Sequence, residues 1–174
     1  REAMDSGHSS PSGRPVAQLS FALNHYFSGF HPFAFKATNL AIHAACGLLV
    51  FLLALRLFTV AWPVSSRRRV VICSGLMAAL WLLHPLQLTP VLHVVQRMTS
   101  LSAFFMLAAL LLHIMARERG GRAGWVSLLL AWGVLWPLSF FSKETGVLFP
   151  LFALAWELIV RRSTQGGLDR FARA

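Results

Sequence analysis

Acidic residues are scarce in this sequence: its 174 residues carry six Asp and Glu against 16 Lys and Arg, a formal net charge of +10 with His neutral. Few groups are therefore left to serve as a general base, and none stands out by spacing. Charge of either sign is short, at 13% of the chain, where a soluble domain carries roughly a quarter. That shortfall excludes an ordinary soluble globular fold. The two cysteines, Cys46 and Cys73, both lie inside apolar runs, which excludes a disulfide scaffold and says nothing about redox compartment. No HExxH, CxxC or glycine-rich phosphate loop occurs, and His84 with His93 is too loose a pair for a metal. No cofactor is evident, and a divalent metal has no ligand pattern behind it.

What is abundant is apolar surface, with 56% hydrophobic residues and a mean hydropathy of +0.62. The composition is that of an all-α, polytopic transmembrane bundle. The basic residues do not cover a soluble face. They gather between apolar runs as Arg67, Arg68 and Arg69, then Arg117, Arg119 and Arg122, then Arg161, Arg162, Arg170 and Arg173. This is the distribution that the positive-inside rule produces, and it argues against a nucleic-acid partner. The first thirty residues lack the basic start and apolar core of a signal peptide, so the chain reads as a segment of a longer membrane protein.

The chain divides accordingly. Residues 1–14 read as the end of an outer loop. Residues 15–27 place Leu19, Leu23, Tyr26 and Phe27 at spacings of three and four after Pro15, which predicts an amphipathic helix too short to cross a bilayer and lying along its surface. Five spans are expected within 33–160, near Phe33–Phe58, Val70–Leu83, Pro90–Ala116, Trp125–Phe141 and Val147–Val160, before a cytoplasmic basic tail at 161–174. The second is short. The third is predicted to start at Thr89 and Pro90, an N-cap and first-turn signal, and Pro137 predicts a kink in the fourth. Glu157, four residues before Arg161, predicts a structural ion pair along one helix.

Alternation of the spans puts the arginine clusters on the cytoplasmic side. The N-terminal segment, the His84–Thr99 stretch and the Ser142–Gly146 loop then share the opposite side. The polar residues that the positive-inside rule does not explain collect there: Arg14, Lys36, His84, Gln87, Gln96, Arg97, Lys143 and Glu144. Lys36, Asn39 and His43 fall on one face of the first span, where His43 suits a bond to a neighbouring helix and Lys36 and Asn39 suit a ligand. A face with several cations and amides fits an anion held at the membrane boundary, since arginine takes phosphate oxygens bidentately and lysine as a point charge. A lipid phosphate or pyrophosphate would seat its head there and its chain between the helices. The competing reading is that Arg97 and Lys143 only anchor helix ends by snorkelling.

Four motifs occur in order: GRPVAQLSFALNHYF from Gly13, FKATNLAIHA from Phe35, LHPLQLTPVLHVVQRMTSLSAFF from Leu83 and SKETG from Ser142. In this order they resemble the transmembrane O-mannosyltransferase-like proteins with C-terminal tetratricopeptide repeats, in a bacterial flavour, within the GT-C superfamily of polytopic glycosyltransferases. The resemblance implies that the chain is a fragment of a GT-C-like membrane domain. It also implies a polyprenyl-phosphate-linked sugar as donor, an acceptor hydroxyl on a protein or glycan, and work on the periplasmic or lumenal side, here of a bacterial inner membrane. Arg14, His84, Gln87, Arg97, Lys143 and Glu144 would lie at the lipid-phosphate and sugar site. Relatives often carry a glutamate where this chain has Pro90. The acidic residue that acts as catalytic base in such enzymes lies upstream of the GRP motif, for which Asp5 is a poor substitute by position.

Three functions stay open at this point. The parent is a glycosyltransferase whose catalytic acid lies outside this chain, or a non-catalytic membrane module that binds a lipid-linked glycan or a protein partner and presents repeats. A transporter is the weakest of the three, with only Pro137 and Pro150 to break helices at mid-membrane depth.

Overall fold

The computed structural model describes the backbone of residues 14–161 and the side chains of residues 14–158. The expected outer loop end before Arg14, with Glu2 and Asp5, and the basic tail after Arg161 lie outside the described residues. Within them the structure is all-helical. Helix α1 (Pro15–Ser28) and helix α2 (Pro32–Ala61) each start on a proline at the first helical position, where its missing N–H costs nothing. Between them Gly29 has φ +57°, a backbone conformation that side chains disfavour, and its N–H closes onto His25 O. Helix α3 is Arg67–Leu83, and the long helix α5 is Arg97–Arg119.

The His84–Gln96 stretch is not the top of one long helix. It forms a 3₁₀ turn (Pro85–Gln87), a single turn α4 (Leu88–Leu92) and a second 3₁₀ turn (Val94–Gln96). Thr89 caps nothing, and the start expected at Pro90 gives way to a break at His93, which is extended with φ −93° and ψ 113°. Another difference falls in the fourth span. Helix α6 (Gly121–Leu130) passes through a π-helical turn at Ala131–Leu135 into α7 (Trp136–Ser142). The backbone thus absorbs Pro137 by widening the turn that precedes it, which loosens the carbonyl that the proline ring would meet. The SKETG motif runs from the last residue of α7 through an extended Lys143 into a 3₁₀ turn (Glu144–Leu148), which is followed by α8 (Phe149–Ala155) and a π-helical turn (Trp156–Arg161).

Among the described residues three helices are long and apolar enough to cross a membrane: Pro32–Ala61, Val94–Arg119 and Gly121–Ser142. A fourth crossing results if Arg67–Leu83 and Pro85–Leu92, bent by 57°, count as one broken span. At 1.5 Å per residue the 17 residues of α3 reach only about 25 Å of the roughly 30 Å of hydrocarbon.

The packing is that of a membrane bundle. Residues hidden between helices are mostly small, among them Cys46, Ala54, Ser74, Ala78, Ala109, Ala131 and Ala153. Large apolar side chains such as Leu76, Leu80, Leu129 and Leu151 face outward. Small residues let helix axes approach closely where no water is present to drive burial. One aromatic cluster fills the α5–α8 region, where Phe149 is fully buried and its ring centroid stands 4.9 Å from that of Trp132. Helix α1 follows the same rule. Its predicted apolar stripe, Leu19, Leu23, Tyr26 and Phe27, points away from the protein, while Ala17 is buried and Ser20 and Asn24 face inward.

Glycine is required where α7 turns into the 3₁₀ segment. A Cβ on Gly146 would stand 2.5 Å from Phe140 N and from Ser139 C, both backbone atoms. Gly146→Ala should therefore cost about 1–3 kcal/mol in thermal unfolding of the detergent-solubilised protein. Gly75→Ala, where a Cβ meets nothing within 4 Å, should be neutral or slightly stabilising; equal loss in both would refute this packing.

Candidate functional site

Connectivity and packing put the start of α2, the end of α3, the start of α5 and the end of α7 at one end of the bundle. The Arg67–Arg69 run and Arg117, Arg119 and Arg122 stand at the other. Six of the eight predicted site residues lie in the His84–Arg97 and Lys143–Glu144 segments, at the first end, together with Arg14 and Lys36. The structure sorts them into three groups.

Arg97 is the first group by itself. Its side chain has no exposure at all. Nε donates to Asn39 Oδ1 at 2.7 Å, Nη2 to Asn24 Oδ1 at 2.8 Å and to Phe35 O at 2.9 Å, and Nη1 to Ser20 O at 3.3 Å. The guanidinium carbon also sits 4.8 Å from the Phe21 ring centroid and 5.3 Å from that of Phe35. Four donor directions of the fork are thus engaged by neutral oxygens, and two aromatic faces supply further negative potential. In this geometry a buried arginine with its donors spent on α1 and α2 ties helices together. Asn39 belongs to the same tie. It is fully buried, and its Nδ2 lies 3.4–3.5 Å from Pro90 O, Val91 O and His93 O, the carbonyls that surround the break at His93.

The second group is brought together from three distant segments. Arg14 Nη2 stands 3.2 Å and 3.3 Å from the two Glu144 carboxylate oxygens, with Nε 3.4 Å from one of them. Lys143 Nζ donates to Thr99 Oγ1 at 2.7 Å, and Thr99 passes its own proton to Gln96 Oε1 at 3.0 Å. Beneath them a hydroxyl cluster joins α5 to α7 and the 3₁₀ turn: Ser139 Oγ donates to Ser102 O at 2.8 Å, and Ser102 Oγ lies 3.2 Å from Ser139 Oγ and 3.3 Å from Thr145 Oγ1. Arg14 is matched by Glu144. Lys143 is half-buried, has a neutral hydroxyl as partner, and forms no salt bridge among the described residues.

The third group is Lys36, His84 and Gln87. Lys36 and His84 are exposed, and Gln87 is half-buried. His84 Nδ1 accepts from Leu86 N at 3.3 Å and so caps its own 3₁₀ turn. His43, predicted to serve a neighbouring helix, does so: its Nε2 lies 3.1 Å from Leu82 O and its ring stacks on Trp81. At the opposite end Glu157 reaches α5, where Arg117 Nε is 2.7 Å away and His113 Nε2 3.3 Å. The side chain of Arg161 lies outside the described residues.

Sequence reasoning missed Asn24, Ser20, Thr99 and Ser102. Asn24 carried a signal, as a polar residue flanking the apolar stripe of α1, whereas Ser20 contributes a backbone carbonyl that its side chain does not report.

Apolar outward faces, small inward residues and a polar cap at one end define an integral membrane protein of the polytopic α-helical class. Its distant homologues are membrane glycosyltransferases. The chain is 30% identical over 154 residues to human Protein O-mannosyl-transferase TMTC4, a match covering 83% of this chain and 20% of the human protein. It is 28% identical over 162 residues to Drosophila melanogaster Protein O-mannosyl-transferase Tmtc3 (86% and 18%) and over 157 residues to mouse Protein O-mannosyl-transferase TMTC3 (90% and 16%). The chain thus spans a fifth or less of the length of these curated relatives. No family model and no solved structure matches it.

Arg97→Lys keeps the charge but loses the planar fork, and should destabilise the protein by about 2–4 kcal/mol. Arg14→Met removes a pair whose side chains are 28% and 45% exposed and should cost less than about 1 kcal/mol. Thermal melts of the two variants in one detergent check the order; its reversal would refute the assignment of Arg97 as the buried tie.

Proposed function

We propose that this chain is the part of a GT-C-type membrane glycosyltransferase that grips the phosphate of a polyprenyl-phosphate-linked sugar, for transfer to an acceptor hydroxyl outside the cytoplasm. The observation that carries the reading is Lys143. An ammonium half-withdrawn from water, with a hydroxyl and no carboxylate as partner among the described residues, is costly unless an anion completes it. It stands at the helix ends, where a lipid-borne phosphate would present itself with its chain among the apolar faces. Arg14, held by Glu144, flanks it as a second cation, and Thr99 with Gln96 orients the lysine. Homology to protein O-mannosyl-transferases supports sugar transfer as the chemistry and a protein hydroxyl as the acceptor.

The division of labour is electrostatic. As the glycosidic bond to phosphate breaks, negative charge grows on the departing phosphate, and a pre-placed ammonium stabilises that charge more than it stabilises the intact donor. Glu144 is bound to Arg14 and is poorly suited to take a proton from an acceptor, so the general base belongs to a part of the protein beyond these residues. Lys36, His84 and Gln87 border the same end of the bundle and suit contacts to the sugar or acceptor rather than to the phosphate.

In the full-length protein, Lys143→Ala should lower transfer from a polyprenyl-phosphate sugar by roughly a hundredfold or more, with membrane insertion intact. Lys143→Arg should retain part of the activity. Transfer assays with a radiolabelled donor read both, and undiminished turnover in Lys143→Ala would overturn the reading.

A further inference from the structure

The opposite end of the bundle holds a second cationic recess, which the proposed transfer chemistry does not use. Where α2 turns into α3, a cavity of about 450 Å³ opens between Arg56, Thr59, Trp62, Ser65 and Arg67, with Val70 and Val71 as its apolar floor. Two adjoining hollows, of about 450 Å³ and 420 Å³, share Trp62, Ser65 and Arg69, and the second continues down α3 to Ile72 and Cys73. Their walls grade from guanidinium and hydroxyl to aromatic and then aliphatic along the helix. We propose that this recess binds the phosphate headgroup of an anionic glycerophospholipid from the surrounding bilayer, with the acyl chains lying along the outward face of α3.

Charge complementarity selects that occupant. The one carboxylate lining the recess, Glu118, is taken by Arg56 at 2.7 Å. Arg67 and Arg69 are exposed and form no salt bridge among the described residues, so the recess keeps net positive charge. Arginine forks match phosphate oxygens, and basic hollows between membrane helices suit anionic headgroups. The aliphatic side continues beyond the hollows: Val71, Ile72 and Leu76 are 40%, 49% and 60% exposed, a surface that a free phosphate ion would leave uncovered. Trp62 stacks on Phe58 with centroids 4.8 Å apart, an aromatic pair of the kind that sits at headgroup depth. Helix length points the same way. Because α3 is shorter than the hydrocarbon is thick, its arginines must lie at or below the headgroup plane, where a lipid phosphate is the nearest available counter-charge.

Native mass spectrometry of the full-length protein, released from nanodiscs holding phosphatidylglycerol in phosphatidylcholine, tests this. The wild type should retain phosphatidylglycerol over phosphatidylcholine. Arg67→Gln with Arg69→Gln should weaken that retention at least tenfold, whereas Arg119→Gln with Arg122→Gln, a basic pair outside the recess, should not. Equal loss in both double variants, or equal retention of the two lipids by the wild type, would overturn the proposal. So would displacement of the lipid by millimolar inorganic phosphate, which would show a free-anion site. The lipid comparison on the wild type stands even if the Arg67/Arg69 variant does not fold, and none of these outcomes depends on glycosyl transfer.

Discussion

The arrangement at the site end rests on one buried cation. The Arg97 guanidinium collects oxygens from α1 (Ser20, Asn24) and α2 (Phe35, Asn39), and the same Asn39 turns its amide nitrogen to the carbonyls of the broken stretch after Leu88. A charge in this position is tolerable only when almost every donor is met, so the elements that supply the acceptors are held as a set. Removing one acceptor strands the charge, and removing the charge strands two asparagine oxygens. Arg97 thereby fixes α1 across the mouth of the bundle and starts α5 directly below it. Arg14, at the beginning of α1, and Thr99, one residue past Met98 on α5, take their places for the proposed phosphate grip as a consequence.

The remainder of the molecule follows from membrane packing. Serine hydroxyls are met within the protein, either by carbonyls of their own helix, as for Ser74 and Ser127, or across helices, as in the Ser102, Ser139 and Thr145 cluster beneath Lys143. Alanines such as Ala54, Ala109 and Ala131 are buried between helices, and leucines such as Leu76, Leu80 and Leu129 face outward. The two ends then differ in kind. At one, cations are either buried by neutral oxygens or arranged round a half-buried lysine; at the other, arginines are exposed or joined to Glu118 and Glu157. The two proposed ligands, a reactive phosphate at one end and an ordinary lipid headgroup at the other, rest on this difference.

Much of this is legible in the sequence, because hydrophobic run length and arginine placement report on helix extent and on which end of the bundle a residue occupies. The helices at Pro32–Ala61 and Gly121–Ser142 fall close to their expected positions, and Pro15 and Pro32 mark the helix starts. The convergence of Arg14, Gln96, Lys143 and Glu144 is legible as a shared side of the membrane, though not as hydrogen bonds. What sequence could not reveal is which polar groups face each other. Thr89-Pro90 carries a helix-start signal, yet Asn39 stabilises a break three residues later by supplying the carbonyls with a donor, a tertiary bond that local propensity does not encode. Arg97 looks like a ligand residue by position and is a tie because Ser20 and Asn24 happen to stand opposite. The span expected at Val147–Val160 falls in a succession of 3₁₀, α and π turns that follow one another from Glu144 to Arg161, a mixture that run length does not encode.

If Arg97 and Asn39 form one unit, their contributions to stability cannot add. A double-mutant cycle with Asn39→Leu, Arg97→Met and the combination, read as unfolding free energy in mild detergent, measures this directly. The account predicts a coupling of at least about 1.5 kcal/mol, with the double variant less damaged than the two single losses together. Additivity within about 0.5 kcal/mol would contradict it.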